Sequence, residues 1–141
     1  MSVREAERTL SEVLLSRSAR RPLAVLFFLG AVAVTIGSLR PELSVPGPEE
    51  ASWVVHFIAY TGLAVIGAFT FPGRGRLLQV AGGLLALGVA IEFAQLYVPG
   101  RYGTVDDGIV DLCGVAVGCG LSLWLRRRWL RRAPLSAAIR L

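Results

Sequence analysis

The stretch "WVVHFIAYTGLAVIGAFTF", Trp53 to Phe71, decides the fold because it runs for 19 residues without Asp, Glu, Lys or Arg. A helix that rises ~1.5 Å per residue needs about 20 such residues to cross a hydrocarbon core of ~30 Å. Three other apolar stretches have a similar length: Leu23 to Leu39, Leu77 to Val98 and Ile109 to Leu125. Lipid satisfies no backbone hydrogen bond, so each stretch must be helical. We therefore predict an all-α integral membrane four-helix bundle.

The composition agrees with a membrane protein and argues against an ordinary soluble domain. Of the 141 residues, 54% are hydrophobic and only 18% are charged. A water-soluble domain of this size could not bury so much apolar surface. The membrane is therefore the predicted solvent of most of the chain.

The basic residues are distributed unevenly. All 15 are arginine, and thirteen of them precede the first apolar stretch, separate the second from the third, or follow the fourth. Only Arg40 and Arg101 lie in the other connections. The positive-inside rule therefore predicts a multi-pass membrane protein with both termini in the cytoplasm. The excess positive charge indicates contact with anionic inner-leaflet lipid, and not with nucleic acid.

The predicted transmembrane domain comprises residues 23–125. Residues 1–22 form a basic cytoplasmic segment that opens with a capping-box pattern at Ser2 to Glu5. We interpret this segment as a short amphipathic helix at the membrane interface, with a disordered basic tail as the alternative. Residues 126–141 are predicted to form a basic cytoplasmic tail.

Polar residues from three helices fall at the same predicted depth. Successive helices alternate in direction, so the start of the second, the end of the third and the start of the fourth all lie near the outer surface. These residues are His56 and Tyr60 in the second helix, Glu92 and Gln95 in the third, and Asp107 and Asp111 in the fourth, with Arg101 in the loop above. We predict that they line a polar pocket that opens to the outside.

Each polar group continues into a stripe of small or apolar residues on the same helical face. Leu63 and Gly67 follow in the second helix, and Gly114 and Gly118 form a G-x-x-x-G in the fourth. In the third helix the predicted face contains Ala81, Leu85, Gly88, Glu92 and Gln95. Small residues let helix backbones approach closely, so the three faces are predicted to point at each other.

The predicted pocket favours binding of a polar head group. A carboxylate at membrane depth costs about 2.5 to 3.5 kcal/mol, so Glu92 and Asp111 should be paired or protonated. Arg101 is a natural partner for one of these carboxylates or for a bound phosphate. We therefore predict that membrane lipids, or a lipid-linked envelope precursor, are the partners of the pocket.

Alternative interpretations stay open. The same residues can form a structural network that only locks the helices together. His56 can act as general base, with a carboxylate as acid, in an enzyme acting on a phospholipid or a polyprenyl-phosphate-linked substrate. One imidazole and three carboxylates can hold a divalent cation, although no second histidine is present and no cofactor is predicted. A proton-coupled carrier would need oligomerisation, and a homo-oligomer or a larger membrane partner is compatible with the chain.

The same residues carry a family resemblance. H-F-x-x-Y in the second helix, E-x-x-Q and V-P-G-R around the end of the third, and D-x-x-x-D-x-x-G in the fourth resemble the VanZ-like family of small bacterial membrane proteins. The motifs are His56 to Tyr60, Glu92 to Gln95, Val98 to Arg101, and Asp107 to Gly114. The resemblance covers about residues 23 to 125 with the spacings intact.

The resemblance implies a fold more firmly than a reaction. The founding member of the VanZ-like family is linked to low-level resistance to the glycopeptide teicoplanin, which implies a role in the cell envelope. Two sites depart from the family pattern. Ser52 and Trp53 stand where the family usually has Asp-Lys, and Asp111 stands where it usually has asparagine.

Overall fold

The computed structural model describes residues 17–43, 49–100 and 105–132, which are helical apart from short connections. The elements are α1 (Arg17–Leu39), a 3-10 turn (Pro41–Leu43), α2 (Glu49–Thr70), α3 (Arg74–Gln95) and α4 (Val105–Arg132). All four long helices are long and apolar enough to span a membrane. The predicted all-α four-helix membrane bundle is confirmed. The predicted interfacial helix falls largely on residues 1–16, which lie outside the described residues.

The helices are longer than the apolar stretches that predict them. α1 begins at Arg17 and not at Leu23, and α4 continues from Leu125 to Arg132. Polar residues continue these helices because a helix satisfies its own backbone hydrogen bonds whatever its side chains, and charged ends reach the membrane interface. The arginines of α1 and α4 therefore lie at the ends of their helices.

Contacts between helix ends establish an up-down-up-down arrangement. Where α1 and α3 finish, Gln95 Nε2 donates a hydrogen bond to the Ser38 carbonyl oxygen at 2.9 Å. Where α2 and α4 begin, His56 Nδ1 lies 3.0 Å from Asp111 Oδ1. We call this end of the bundle, where α1 and α3 finish and α2 and α4 begin, the histidine end.

The opposite end of the bundle is rich in arginine. The Arg126 guanidinium of α4 donates a hydrogen bond to the Ala68 carbonyl oxygen in the last turn of α2, and it lies 5.5 Å from the centre of the Phe69 ring. Arg20 in the first turn of α1 acts electrostatically on Arg126. We call this the arginine end. A cation there binds a carbonyl that the end of α2 leaves without a helical partner.

α2 and α4 make the closest helix contact in the bundle through the predicted G-x-x-x-G. A Cβ atom added to Gly114 would lie 2.8 Å from the Phe57 carbonyl oxygen, and one added to Gly118 would lie 2.5 Å from that of Thr61. Thr61 Oγ1 also donates a hydrogen bond to the Gly114 carbonyl oxygen at 3.1 Å. The two backbones therefore touch where only glycine fits, as the sequence predicts.

The core of the bundle is small and lies between α2, α3 and α4. Its buried residues are Tyr60, Leu63, Ala64, Val80, Leu84 and Val115. α1 packs on this core from one side through Phe27 and Val34, while much of its surface is exposed. Exposed Val, Leu and Phe side chains on α1 are suited to lipid, which is as apolar as they are.

The buried face of α3 differs from the prediction. The buried residues of α3 are Leu77, Val80, Leu84, Gly88, Ile91 and Gln95. Ala81, Leu85 and Glu92 of the predicted face are only partly buried, so the face is rotated by about one residue. In a membrane the lipid-facing side of a helix is as apolar as its packed side, and periodicity therefore does not separate the two.

Candidate functional site

The centre of the candidate site is a contact between an imidazole and a carboxylate from two helices. His56 Nδ1 of α2 lies 3.0 Å from Asp111 Oδ1 of α4. The Asp111 side chain is 3% exposed and the His56 side chain 12% exposed. The backbone contact at Gly114 holds the two helices together one turn below Asp111. The pair is therefore fixed by close packing of the helices that carry it.

Tyr60 extends the pair toward the interior. It lies one turn after His56 and is fully buried, with the two rings stacked at 6.4 Å between centroids and 15° between planes. Among the described residues, its hydroxyl has no partner within ordinary hydrogen-bond geometry, and the Asp111 carboxylate is a longer-range acceptor beside it. The site thus contains a buried polar atom whose hydrogen-bonding capacity the described residues do not satisfy.

Gly88 of α3 closes the site from the third side. A Cβ atom at this position would lie 2.9 Å from Asp111 Oδ2 and 3.2 Å from the Tyr60 hydroxyl oxygen. Both polar atoms therefore face the bare backbone of α3. A glycine here lets the third helix approach the carboxylate and the phenol together.

Gly88→Ala is expected to disturb the site and to lower the stability of the bundle modestly. The methyl group would displace the Asp111 carboxylate, and the packing cost of about 1 to 2 kcal/mol exceeds the helix-propensity gain of up to about 1 kcal/mol. The measurement is thermal unfolding of the purified protein in detergent. Gly82→Ala is the matched control, because a Cβ atom there meets nothing within 4 Å. Equal melting temperatures for the two variants would contradict this packing.

Two further carboxylates belong to the same group. Glu92 of α3 and Asp107 of α4 are partly buried, and both act electrostatically on the His56 imidazole, as Asp111 does. We call His56, Tyr60, Glu92, Asp107 and Asp111 the His56 cluster. α3 and α4 therefore bring three acidic side chains to the imidazole of α2, and the sequence predicts that these residues lie at one end of the bundle.

The start of α4 explains how two of these carboxylates are placed. Asp107 lies in the first turn of the helix, where the helix dipole favours negative charge. Asp111 follows four residues later on the same face, so it lies one turn deeper and is buried. One helix thus presents a partly buried and a fully buried carboxylate on one side.

Gln95, another predicted site residue, has a different position. It is buried, and its Nε2 donates to the Ser38 carbonyl oxygen of α1. This hydrogen bond makes Gln95 a link between the ends of α3 and α1. Arg101, the predicted phosphate ligand, lies outside the described residues.

Sequence reasoning did not find two contacts that shape the site and its scaffold. The partner of Gln95 is a backbone carbonyl, and Arg126 likewise binds the carbonyl of Ala68. A backbone acceptor carries no side-chain signal, so residue type cannot reveal it. A sequence can only show that a cation such as Arg126 is present, and cations often bind the last carbonyl groups of a helix.

The cluster can accept hydrogen bonds and transfer protons. Its carboxylates are acceptors, and its imidazole has Nδ1 directed at Asp111, which leaves Nε2 as the ring nitrogen that a bound molecule would meet. Among the described residues, no group of three or more His, Cys, Asp or Glu side chains has the arrangement of a metal site. The chemistry that the described atoms support is hydrogen bonding and acid–base exchange.

The chain matches one known protein family over the helices that carry the site. The profile of the VanZ/LLP1 family matches residues 24–126, which include every residue of the His56 cluster and most of each span. No curated protein and no solved structure is significantly similar to the chain.

Proposed function

The chain belongs to the VanZ/LLP1 family, and we propose that its His56 cluster binds the polar head group of an envelope lipid or of a lipid-linked precursor. The observation that supports this proposal is the convergence of α2, α3 and α4 on one cluster of carboxylates and imidazole. Each carboxylate at membrane depth costs about 2.5 to 3.5 kcal/mol on insertion scales. A ligand that donates hydrogen bonds to these groups offsets part of that cost.

The atoms of the cluster are suited to a head group that carries several hydrogen-bond donors. Carboxylate oxygens accept hydrogen bonds from ammonium or hydroxyl groups, and the carboxylates of Glu92 and Asp107 are only partly buried. The phosphate of such a lipid would meet Arg101, which lies six residues after the end of α3. A head group with an amine or sugar next to a phosphate would therefore satisfy both the acidic cluster and the arginine.

The arginine distribution supports the orientation of the site. With thirteen of 15 arginines in the segments at one side, the positive-inside rule places the histidine end at the outer surface of a bacterial inner membrane. In that orientation the site meets lipids and cell-wall precursors of the outer leaflet. Binding of such a precursor would connect this protein to glycopeptide tolerance, of the kind implied by its resemblance to the founding member.

Asp107→Asn is the variant that tests binding most cleanly. It keeps the shape of a partly buried side chain of the cluster and removes its charge. A hydrogen bond from the ligand to a carboxylate is worth about 1 kcal/mol more than one to an amide, so we expect the variant to retain about fivefold less lipid. The measurement is native mass spectrometry of protein purified from bacterial membranes, with identification of the lipid that remains bound.

Asp106→Asn is the matched control for that experiment. It makes the same chemical change in the same helical turn, on an exposed side chain outside the cluster. Equal lipid retention by the parent, the Asp107 variant and the Asp106 variant would overturn the binding proposal.

A membrane enzyme is a second candidate, favoured by the contact between His56 Nδ1 and Asp111 Oδ1. A carboxylate on one ring nitrogen orients the imidazole and leaves the other nitrogen to take a proton from substrate or water. The test is incubation of the purified protein with phospholipids and polyprenyl phosphates, with and without divalent cations, and with His56→Gln as control. Turnover that His56→Gln abolishes would establish the enzyme, whereas retention of unchanged lipid would support binding alone.

A further inference from the structure

A groove of about 750 Å³ lies between α1 and α3, away from the His56 cluster. Its walls include Phe27 and Phe28 of α1, Phe71 after α2, and Arg76, Gln79 and Gly83 of α3. Ligand sites in proteins have volumes of about 300 to 1,000 Å³, so the groove is large enough for a substantial molecule. None of the residues that line it belongs to the proposed head-group site.

One wall of the groove is formed by phenylalanine rings that pack against each other. The Phe27 ring meets Phe28 edge to face at 5.4 Å between centroids and meets Phe71 in the same manner at 6.0 Å. Val80 and Leu84 of the core lie among the lining residues. Such a surface favours a flexible hydrocarbon and offers it no hydrogen-bond partner.

The polar residues of the groove are confined to one end. Arg76 and Gln79 lie in the first turns of α3, at the arginine end, and both are exposed. The lining then continues along α3 to Leu87 without another charged residue. The groove is therefore amphipathic along its length, with a cation at the membrane surface and an apolar channel below it.

The length of the groove corresponds to one leaflet. Its lining on α3 runs from Gly75 to Leu87, which is about 18 Å for a helix rising ~1.5 Å per residue. Half of a ~30 Å hydrocarbon core is about 15 Å. A transmembrane helix of a partner would need a face across the whole core, so a single acyl chain is the better fit.

Glycine keeps the groove open. A Cβ atom on Gly83 would meet nothing within 4 Å, whereas one on Gly67, deeper in the bundle, would lie 2.6 Å from Val80 and 2.9 Å from Phe27. Packing between α1, α2 and α3 is therefore tight at Gly67 and absent at Gly83. The space beside Gly83 belongs to the groove and not to the protein core.

We propose that this groove binds one acyl chain of an anionic phospholipid from the leaflet at the arginine end, with the lipid phosphate paired to Arg76. Arginine binds phosphate through two parallel hydrogen bonds, and the inner leaflet of a bacterial membrane supplies anionic head groups. The concentration of arginine at this side of the chain attracts the same lipids. The site is independent of the His56 cluster and takes a lipid from the opposite leaflet.

The experiment uses the full chain in nanodiscs that contain phosphatidylglycerol with a photoactivatable diazirine in its acyl chain. After irradiation, mass spectrometry locates the labelled residues. We expect label to concentrate on Phe27, Phe28 and the α3 segment around Gly83. Label spread equally over lipid-facing residues such as Leu78 and Phe93 would overturn the proposal, and this comparison needs no variant.

Two pairs of variants test the groove and the charge separately. Gly83→Leu should abolish groove labelling by filling the space, whereas Gly82→Leu, whose Cβ also meets nothing within 4 Å but which lies outside the lining, should not. Arg76→Gln should lower labelling about fivefold, and Arg74→Gln, outside the lining, should change it less. Unchanged labelling in Gly83→Leu overturns the acyl-chain site, and equal effects of the two arginine variants overturn the pairing with Arg76.

Discussion

Gly118→Ala is expected to destabilise the bundle by about 2 kcal/mol relative to Gly120→Ala, because it forces apart two helices whose backbones touch. The added methyl carbon would lie 2.5 Å from the Thr61 carbonyl oxygen and 2.7 Å from the Ala64 Cβ atom. Neither atom can rotate away, since one is backbone and the other is attached directly to it. The helices must separate, and the contacts along α2 and α4 are lost with them.

Gly120→Ala isolates this packing effect from helix propensity. Gly120 is exposed and a Cβ atom there meets nothing within 4 Å. The same substitution should therefore be neutral, or stabilising by up to about 1 kcal/mol, through lower backbone entropy in the unfolded chain. The measurement is unfolding followed by tryptophan fluorescence in mixed micelles. Equal stability of the two alanine variants would show that α2 and α4 do not meet at Gly118.

His56→Ala is expected to cost about 3 kcal/mol of stability, because it leaves the buried Asp111 carboxylate without its imidazole partner. Asp111 is 3% exposed, so in the parent protein the imidazole and not bulk water offsets its charge. The cavity left by the ring adds to the loss. The same unfolding measurement in mixed micelles reports the change.

A second substitution separates the charge effect from the cavity. Asp111→Asn has nearly the same shape and removes the charge, so His56→Ala/Asp111→Asn should recover a large part of the stability that His56→Ala loses. Asp111→Asn alone should change stability by less than about 1 kcal/mol, because an amide oxygen can still meet the ring nitrogen. If the double variant is no more stable than His56→Ala, the buried charge is not what the imidazole offsets.

The sequence predicted the architecture well because membrane insertion depends on features that a sequence displays directly. Apolar length set the number of spans, and alternation of direction brought His56, Glu92, Asp107 and Asp111 to one end of the bundle. The G-x-x-x-G at Gly114 also predicted the close approach of α2 and α4. These inferences need residue type and spacing only.

The structural features that the sequence did not predict depend on contacts between residues far apart in the chain. The rotation of α3 escaped prediction because its lipid-facing and packed sides are equally apolar. The bond from Gln95 to the Ser38 carbonyl oxygen uses an acceptor that every residue has. The groove beside Gly83 depends on the space between α1 and α3, and a stretch of sequence does not record the distance between two helices. The role of Arg101 as a phosphate ligand stays a prediction.

The glycine contact between α2 and α4 has a mechanical consequence for the site. Because the two backbones touch at Gly114 and Gly118, the separation of His56 and Asp111 is set by main-chain contact and not by side-chain freedom. α2 and α4 are therefore the rigid part of the site. α3 meets Asp111 and Tyr60 across the bare backbone of Gly88 and borders the open groove toward α1. For the proposed binding of a ligand to the cluster, we therefore expect α3, which carries Glu92, to move more than α2 and α4.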